Sequence, residues 1–436
     1  MISVISIKSA LNAEKLNTRT LSNISVDTDT IAAGNNAVSA RCTIGGREGD
    51  WLIKCYFRNK PHLSEIYGDA YYPKELNVRS INGDSNYIDV VIMPWAPGQP
   101  LDWYIGHPGT DYAKLSREFD ILALKTLDAP YAHGDVKPEN IIVDSDYKMT
   151  LIDFDAMWRP ELSITRPAEI GTLAYRSPNR DASDFNKYID DYSFTLISTA
   201  LAALALDREA MEKHIKPDKS IFTPKNCIIK RDVALDEAKR ILLEHNDVAH
   251  YRIAMGLETT CIAIYRLRDL FYHALHPFKL AVVEGAEITP FDYLWGYVKD
   301  NEWIIPPLFD SCDPLREGHG CCVIGNKRIE LPIVSKIEPN IIDSPIAKAP
   351  VYSTTWYEDR LAIRPKKRID NRYAKYGNSN NQGKLWSFEE EMLMTMYLFD
   401  GCRLSAIARK LARSEKAVVA RIHKLKLPIT KRNRRK

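Results

Sequence analysis

The chain has 436 residues, more than one compact domain usually holds, so about two to four folding units are expected. Its apolar content is ordinary for a globular protein, and no run of about 18 apolar residues occurs, which argues against a transmembrane helix. The net charge of +3 hides an asymmetry: from Arg360 onward there are 21 Lys and Arg against 6 Asp and Glu, about +15, which leaves about −12 for the rest.

Residues 1–8 lack both a basic stretch and a long apolar run, so no secretory leader is expected. Eight cysteines without a C-x-x-C pair fit reduced, buried thiols in a cytoplasmic protein better than a disulfide frame or a zinc site. Residues 20–95 contain short β-rich runs. Residues 41–44 and 51–56 flank Gly45-Gly46-Arg47-Glu48-Gly49-Asp50, a hairpin signature, and 87–93 is a further strand rich in Val and Ile. Helical periodicity begins at 112–127 and returns at 190–206 and 234–275. A small β-rich lobe followed by a large helical lobe is expected, an α+β fold. Residues 284–335 show aromatic, polar and turn residues without a helical period, and 336–384 reads as a linker. Helical periodicity resumes at 385–428, and 429–436 is a basic tail.

Chemistry concentrates in one segment. His133-Gly134-Asp135-Val136-Lys137-Pro138-Glu139-Asn140 leads into Ile141-Ile142-Val143, and Leu151-Ile152-Asp153-Phe154-Asp155 follows. Phosphoryl transfer needs a carboxylate to orient a hydroxyl and take its proton, oxygen ligands for a hard divalent cation, and a cation beside the transferred group. A turn between two short strands can hold all three.

This constellation resembles the catalytic and metal-binding loops of the protein kinase family, over about residues 20–280. The resemblance implies a bilobal kinase-like domain at 1–283, with an N-lobe of about 1–93 and a C-lobe of about 97–283. It implies ATP and Mg²⁺, with Asp135 as catalytic carboxylate, Lys137 on the γ-phosphate, and Asn140 and Asp153 on the metal. His133 supports the loop. Lys54, at the end of Leu52-Ile53-Lys54, resembles the lysine that binds the α- and β-phosphates. Glu65 is its expected partner and Glu75 the alternative. Gly34, in Ala33-Gly34-Asn35-Asn36, stands where the phosphate-covering loop belongs. Pro94 and Ala96 resemble the hinge, one offering a carbonyl and the other an N–H to adenine. Gly171 and Thr172 resemble the peptide-binding end of the activation segment, and with Lys137 they favour a Ser/Thr protein substrate. Asp190 matches the helix aspartate that supports the catalytic loop; Asp191 is the alternative, and one of the two is expected to be solvated.

The sequence departs from the family at several points. Only one glycine occupies the phosphate-covering loop. Gly134 replaces the arginine that receives a phosphorylated activation loop, so no such switch is expected. Asp155 replaces a glycine and acts either as an extra metal ligand or as a brake on loop switching. Asn179 replaces a bracing glutamate. An active Ser/Thr kinase is favoured; a nucleotide-binding pseudokinase and an aminoglycoside- or choline-type phosphotransferase are the alternatives.

Residues 294–327, with Trp295-Gly296, Ile305-Pro306-Pro307 and Glu317-Gly318, resemble one WG repeat, which would pack on the kinase lobe or serve as a binding surface. In 385–428, Trp386, Leu393 and Met396-Tyr397 share a face of a first helix; Leu404, Ile407, Ala408 and Leu411 fit a second. Ser414 caps a third, which carries Val418, Ile422 and Leu425. This resembles a Myb/SANT-like helix-turn-helix module. The resemblance implies binding of double-stranded DNA through Lys416, Arg421 and Lys424.

Overall fold

The computed structural model describes residues 2–337, apart from 81, 165, 168, 261, 265, 292, 293 and 317, together with 386, 390, 394, 398, 403–411 and 413–424. The fold is mixed α and β with curled sheets. It divides into two compact units: Met1–Tyr104 with Pro130–Thr172 and Asp181–Lys187, and Ile105–Ala129 with Leu173–Arg180 and Tyr188–Lys436. The segment carrying Asp135 and Asp153 therefore belongs to the strand-rich unit, and the units do not follow a boundary near 93–97.

The first unit opens with α1 (Val4–Leu11), whose first turn is capped by the Ser3 side chain accepting from Ser6 N at 3.1 Å. Its main sheet comprises β1 (Ile24–Val26), β2 (Ala32–Ala33), β3 (Ala37–Ile44), β4 (Trp51–Tyr56), β5 (Tyr71–Arg79) and β6 (Ser85–Pro94). The order is β1-β3-β4-β6-β5, with β2 also pairing β3 and every pairing antiparallel. The β3–β4 hairpin forms across the glycine-rich turn, with Cys42 opposite Trp51 and Val38 opposite Cys55. Side chains alternate across a strand. Val38, Ala40, Cys42, Ile53 and Cys55 thus enter a core with Ile7, Leu11, Leu76 and Ile92. The same alternation turns Lys54 and Tyr56 to the opposite face, where Tyr56 packs with Ala37, Leu63 and Val91. Between β4 and β5 lies α2 (Leu63–Tyr67). Beyond β6 come β7 (Gln99–Pro100), α3 (Leu101–Tyr104), β8 (Ile141–Val143) and β9 (Met149–Leu151); β7, β8 and β9 form a second small sheet.

The second unit contains α4 (Tyr112–Asp128), α5 (Asp191–Leu206), α6 (Arg208–Glu212), α7 (Pro224–Ile228), α8 (Val233–Glu244), α9 (Val248–Gly256) and α10 (Leu267–Leu275). Asp111, Asp232 and Asp247 cap α4, α8 and α9 with side-chain oxygens, which satisfies N–H groups the helices leave orphaned. Nearly every residue of α5 is buried, as expected of a helix that is apolar all round. The periodic stretch 234–275 comprises α8, α9 and α10. Inside this unit the His250 ring bridges two carboxylates: Nδ1 to Asp247 at 2.7 Å and Nε2 to Asp120 at 2.8 Å. Ser198 donates to the other oxygen of Asp120 at 2.7 Å.

Seven strands follow: β10 (Val282–Val283), β11 (Glu287–Phe291), β12 (Leu294–Lys299), β13 (Glu302–Phe309), β14 (Ser311–Arg316), β15 (His319–Ile324) and β16 (Lys327–Val334). They form a three-stranded sheet, β11-β12-β13, and a four-stranded sheet, β10-β16-β15-β14. Asp300 and Asn301, both at positive φ, make the two-residue turn between β12 and β13. Gly296 is required by close approach: a Cβ there would lie 2.8 Å from the Pro306 carbonyl carbon and closer still to Ile305 O. This segment is docked on α8 and α9. Arg252 donates to Leu308 O at 2.7 Å and to Asp310 at 2.8 Å, and Lys327 donates to Leu243 O, at the end of α8, at 2.6 Å. Cys312 and Cys322 face each other across β14 and β15, and the six cysteines among the described residues are free and buried.

Near the C-terminus, Glu390, Met394 and Leu398 are helical, and α11 (Leu404–Lys410) and α12 (Glu415–Lys424) follow. Met394, Leu398, Leu404, Ile407, Ala408, Leu411, Val418 and Ile422 form their core, with Trp386 against it. Leu393, Met396, Tyr397 and Leu425, expected in that core, lie outside the described residues, as do 338–384 and the tail. No helix among the described residues is long and apolar enough to cross a membrane.

Candidate active site

The predicted loop residues converge within the first unit. Lys137 precedes a 3-10 turn, Pro138–Asn140, in which proline starts the turn at no hydrogen-bonding cost. The β8–β9 ladder then pairs Ile141 with Leu151, and Ile152 N donates to Asn140 O at 2.9 Å. Asn140 and Asp153, 13 positions apart, are thereby held at adjoining strand ends. Asn140 Nδ2 donates to Asp135 O at 2.9 Å and to Asp135 Oδ2 at 3.3 Å. Lys137 Nζ lies 3.3 Å from Asp135 Oδ2 and donates to Thr172 Oγ1 at 3.2 Å. Thr172 N donates to Asp135 Oδ1 at 2.6 Å. Gly171, just before it, is at φ +81. Asp135, Lys137, Asn140 and Thr172 thus interlock as one cluster.

His133 is fully buried and braces the loop from below. Its Nδ1 accepts from Asp135 N at 3.3 Å, which leaves the proton on Nε2 to donate to Ile152 O at 2.7 Å. Its ring packs on Phe154 at 4.8 Å. Gly134 has φ +87, and a Cβ there would lie 2.8 Å from the Ala156 carbonyl carbon, closer still to its oxygen. The residue between His133 and Asp135 must therefore be glycine, and an arginine is excluded by the backbone.

Lys54, on β4, reaches Asp153 and Asp155 on the loop that follows β9. Its ammonium is 2.6 Å from Asp153 Oδ1 and 2.9 Å from Asp155 Oδ1. Burial alone would depress its pKa, but the two carboxylates outweigh this and hold it above the ordinary lysine value. Asp153 sits at φ +64, an uncommon conformation for a non-glycine residue and one associated with functional strain.

The expected Lys54–Glu65 pair is not formed. Glu65 accepts from Ser163 N and Oγ at 3.0 and 2.7 Å and lies 2.8 Å from His62 Nδ1. His62 and Ser163 together hold its carboxyl down at about 2. The alternative, Glu75, is buried in β5 and accepts from Thr20 N, Thr20 Oγ1 and Leu21 N, each at 2.7 Å. Both glutamates spend their oxygens on nearby backbone and side-chain donors. Asp155 takes the place meant for them, bound also by Tyr56, Lys60 and Tyr67. Sequence reading missed these three residues; the one available signal was that Tyr56 shares the Lys54 face of β4.

Gly34 lies at the tip of the β2–β3 hairpin and donates its N–H to Ala37 O at 2.9 Å. A Cβ there would meet only Ala37 O at 3.6 Å, so its backbone does not demand glycine. Pro94 ends β6 opposite Trp51, with Ala96 two residues on in the segment that leads to β7. In the second unit Asp190 and Asp191 are both buried, which corrects the expectation that one is solvated; Asp191 accepts from Ile264 N at 2.8 Å. Asn179, in place of a glutamate, donates to Thr260 O at 2.9 Å. On α12, Lys416 is exposed and Arg421 half-buried, while the Lys424 side chain lies outside the described residues. Ser414 Oγ accepts from Ala417 N at 3.2 Å as the expected cap.

Among the described residues no group of three or more His, Cys, Asp or Glu is placed to hold a metal ion. A magnesium nucleotide needs fewer, since phosphate and water supply the other oxygens. Asn140 spends its amide nitrogen on Asp135, which leaves its carbonyl oxygen for other use, and the Asp153 side chain is 43% exposed. Both residues thus keep oxygen atoms of the kind a hard divalent cation takes. No protein-family model matches this sequence, and no curated protein matches it.

Proposed function

We propose that this chain is an ATP-dependent, protein kinase-like phosphotransferase with a bilobal kinase-like domain, acting on Ser/Thr hydroxyls in the cytoplasm. One observation carries the reading: Lys54 from β4 is ion-paired with Asp153 at 2.6 Å, beside the interlocked cluster of Asp135, Lys137, Asn140 and Thr172. These are the groups that phosphoryl transfer needs, with Lys54 coming from 81 or more positions before the others.

In this reading the substrate hydroxyl is oriented by Asp135, which takes its proton as the oxygen bonds to the γ-phosphorus. The bond from phosphorus to the β-bridging oxygen breaks and ADP leaves. Lys137 offsets charge on the transferred group, and Lys54 holds the α- and β-phosphates. Asn140 and Asp153 would hold Mg²⁺, which screens phosphate charge when bound. Pro94 O and Ala96 N–H would meet the adenine, with Gly34 at the edge of the phosphates. The bonds from Lys137 and Thr172 to Asp135 support a protein substrate over a small molecule, because they seat the 171–172 segment at the catalytic carboxylate.

The test is phosphate transfer from labelled ATP with Mg²⁺ by wild type, Asp135→Ala and Asp153→Ala. Transfer by wild type alone is expected. If wild type transfers no more than Asp135→Ala, the kinase reading fails, and thermal stabilisation by nucleotide would then mark a nucleotide-sensing regulator. We further propose that residues 385–436 bind double-stranded DNA; the exposed Lys416 on α12 and the basic composition of this region support it. Duplex binding that weakens steeply with salt is expected, and equally tight binding by a chain ending at 384 would refute it.

A further inference from the structure

Asp155 is the carboxylate beside Lys54 that the proposed reaction does not use. Its side chain is 7% exposed, against 43% for Asp153. Four donors converge on it. Tyr56 Oη, Tyr67 Oη and Lys54 Nζ meet Oδ1 at 2.7, 2.5 and 2.9 Å, and Lys60 Nζ meets Oδ2 at 2.9 Å. An ionised carboxylate offers about four lone-pair directions, so four donors account for most of its hydrogen-bonding capacity. Burial would raise its pKa, but Lys54 and Lys60, helped by Tyr67, more than offset this, and the group stays ionised. A buried charge held this way has little freedom to move.

We propose that Asp155 is the positioning residue for the nucleotide-binding lysine: it fixes the Lys54 ammonium for the phosphates, in place of a helix-borne glutamate, while Tyr56, Lys60 and Tyr67 lock its carboxylate. The proposal rests on the phosphotransferase reading and deepens it. Phosphates arriving at Lys54 compete with half-exposed Asp153 and leave buried Asp155 in place. Anchor and metal ligand are two residues apart on one loop. Placement of Lys54 is therefore independent of α2, whose Glu65 is committed to His62 and Ser163.

Two readouts test this. The first is the pH dependence of Lys54 acetylation by acetic anhydride in the nucleotide-free full chain, read by mass spectrometry. The second is MgATP affinity by calorimetry. In Asp155→Asn the pH of half-reaction at Lys54 is expected to fall by about one unit or more, a tenfold rise in reactivity below that pH. MgATP should bind at least about tenfold more weakly, and adding Asp155→Asn to Lys54→Met should cost nothing further, as for residues acting as one unit. Glu65→Gln should leave both readouts within about twofold, as expected of a side chain bonded elsewhere. An unchanged Lys54 profile in Asp155→Asn, or a shifted one in Glu65→Gln, overturns the proposal. Should Asp155→Asn fail to fold, Tyr67→Phe, which removes one donor from the Asp155 carboxylate, takes its place, and unchanged MgATP affinity in it overturns the proposal. If wild type binds no MgATP, the phosphotransferase reading falls, and the Lys54 profile still decides the anchor.

Discussion

Replacing Gly134 by alanine tests the geometry of the catalytic loop without presupposing any activity. At φ +87 a side chain costs about 1–2 kcal/mol. The new Cβ would also lie 2.8 Å from the Ala156 carbonyl carbon and 3.0 Å from the Ala156 Cβ. That neighbour is backbone and is pinned close by: Ala132 and Trp158 exchange two hydrogen bonds of 2.9 Å, and Met157 N donates to Phe154 O at 2.9 Å. Overpacking against a fixed wall costs about 1–3 kcal/mol. The sum is about 2–5 kcal/mol, a large share of the roughly 5–15 kcal/mol that holds a typical domain together. For a unit of this size the thermal midpoint should fall by about 4–20 °C. Urea unfolding followed by tryptophan fluorescence measures the loss, and an unchanged m value would assign it to stability alone. Gly34→Ala is the matched control, because its Cβ meets only Ala37 O at 3.6 Å; it should stay within about 0.5 kcal/mol of wild type. A Gly134→Ala midpoint equal to that of the control would refute the reasoning.

Two further outcomes are expected. Burial would lower the His250 pKa, but Asp247 and Asp120 hold it well above 6.5. The stability this contributes is complete below the unfolded value of about 6.5 and is lost as pH rises through the folded pKa. The thermal midpoint should therefore decline with rising pH above that point. Asp120→Asn should flatten the decline and cost about 3–5 kcal/mol; equal slopes in the two proteins would contradict this. In the C-terminal module, Arg413 is buried, donates to both oxygens of Glu390 at 3.0 and 2.7 Å, and lies 4.7 Å over the Trp386 ring. Arg413→Ala should cost that module about 3 kcal/mol and open it to limited proteolysis; unchanged protection would exclude the role.

Much of the local architecture was legible because it is encoded at short range. Alternation in 41–44 and 51–56 specified the β3–β4 hairpin and put Lys54 and Tyr56 on one face. The interval between Asn140 and Asp153 spans two strand ends joined by a tight ladder. In the C-terminal module the spacing of Ile407, Leu411, Val418 and Ile422 picked out side chains that are buried together. Where the reading stopped short, the deciding partner lay far along the chain.

What the sequence by itself determined was which residues share a face, where turns fall, and which chemical groups are available around 133–155. Tertiary structure alone decided which buried charges meet. Lys54 pairs with Asp155 and not Glu65, Asp155 gathers Tyr56, Lys60 and Tyr67 from 88 to 99 positions away, and His250 finds Asp120 from 130. The physical reason is that periodicity and spacing record the geometry of one element, whereas a desolvated charge takes whichever opposite charge the packing brings within about 3 Å. The same holds for Gly134: its composition was plain in the sequence, but only the fold placed the Ala156 carbonyl where a side chain would have to be.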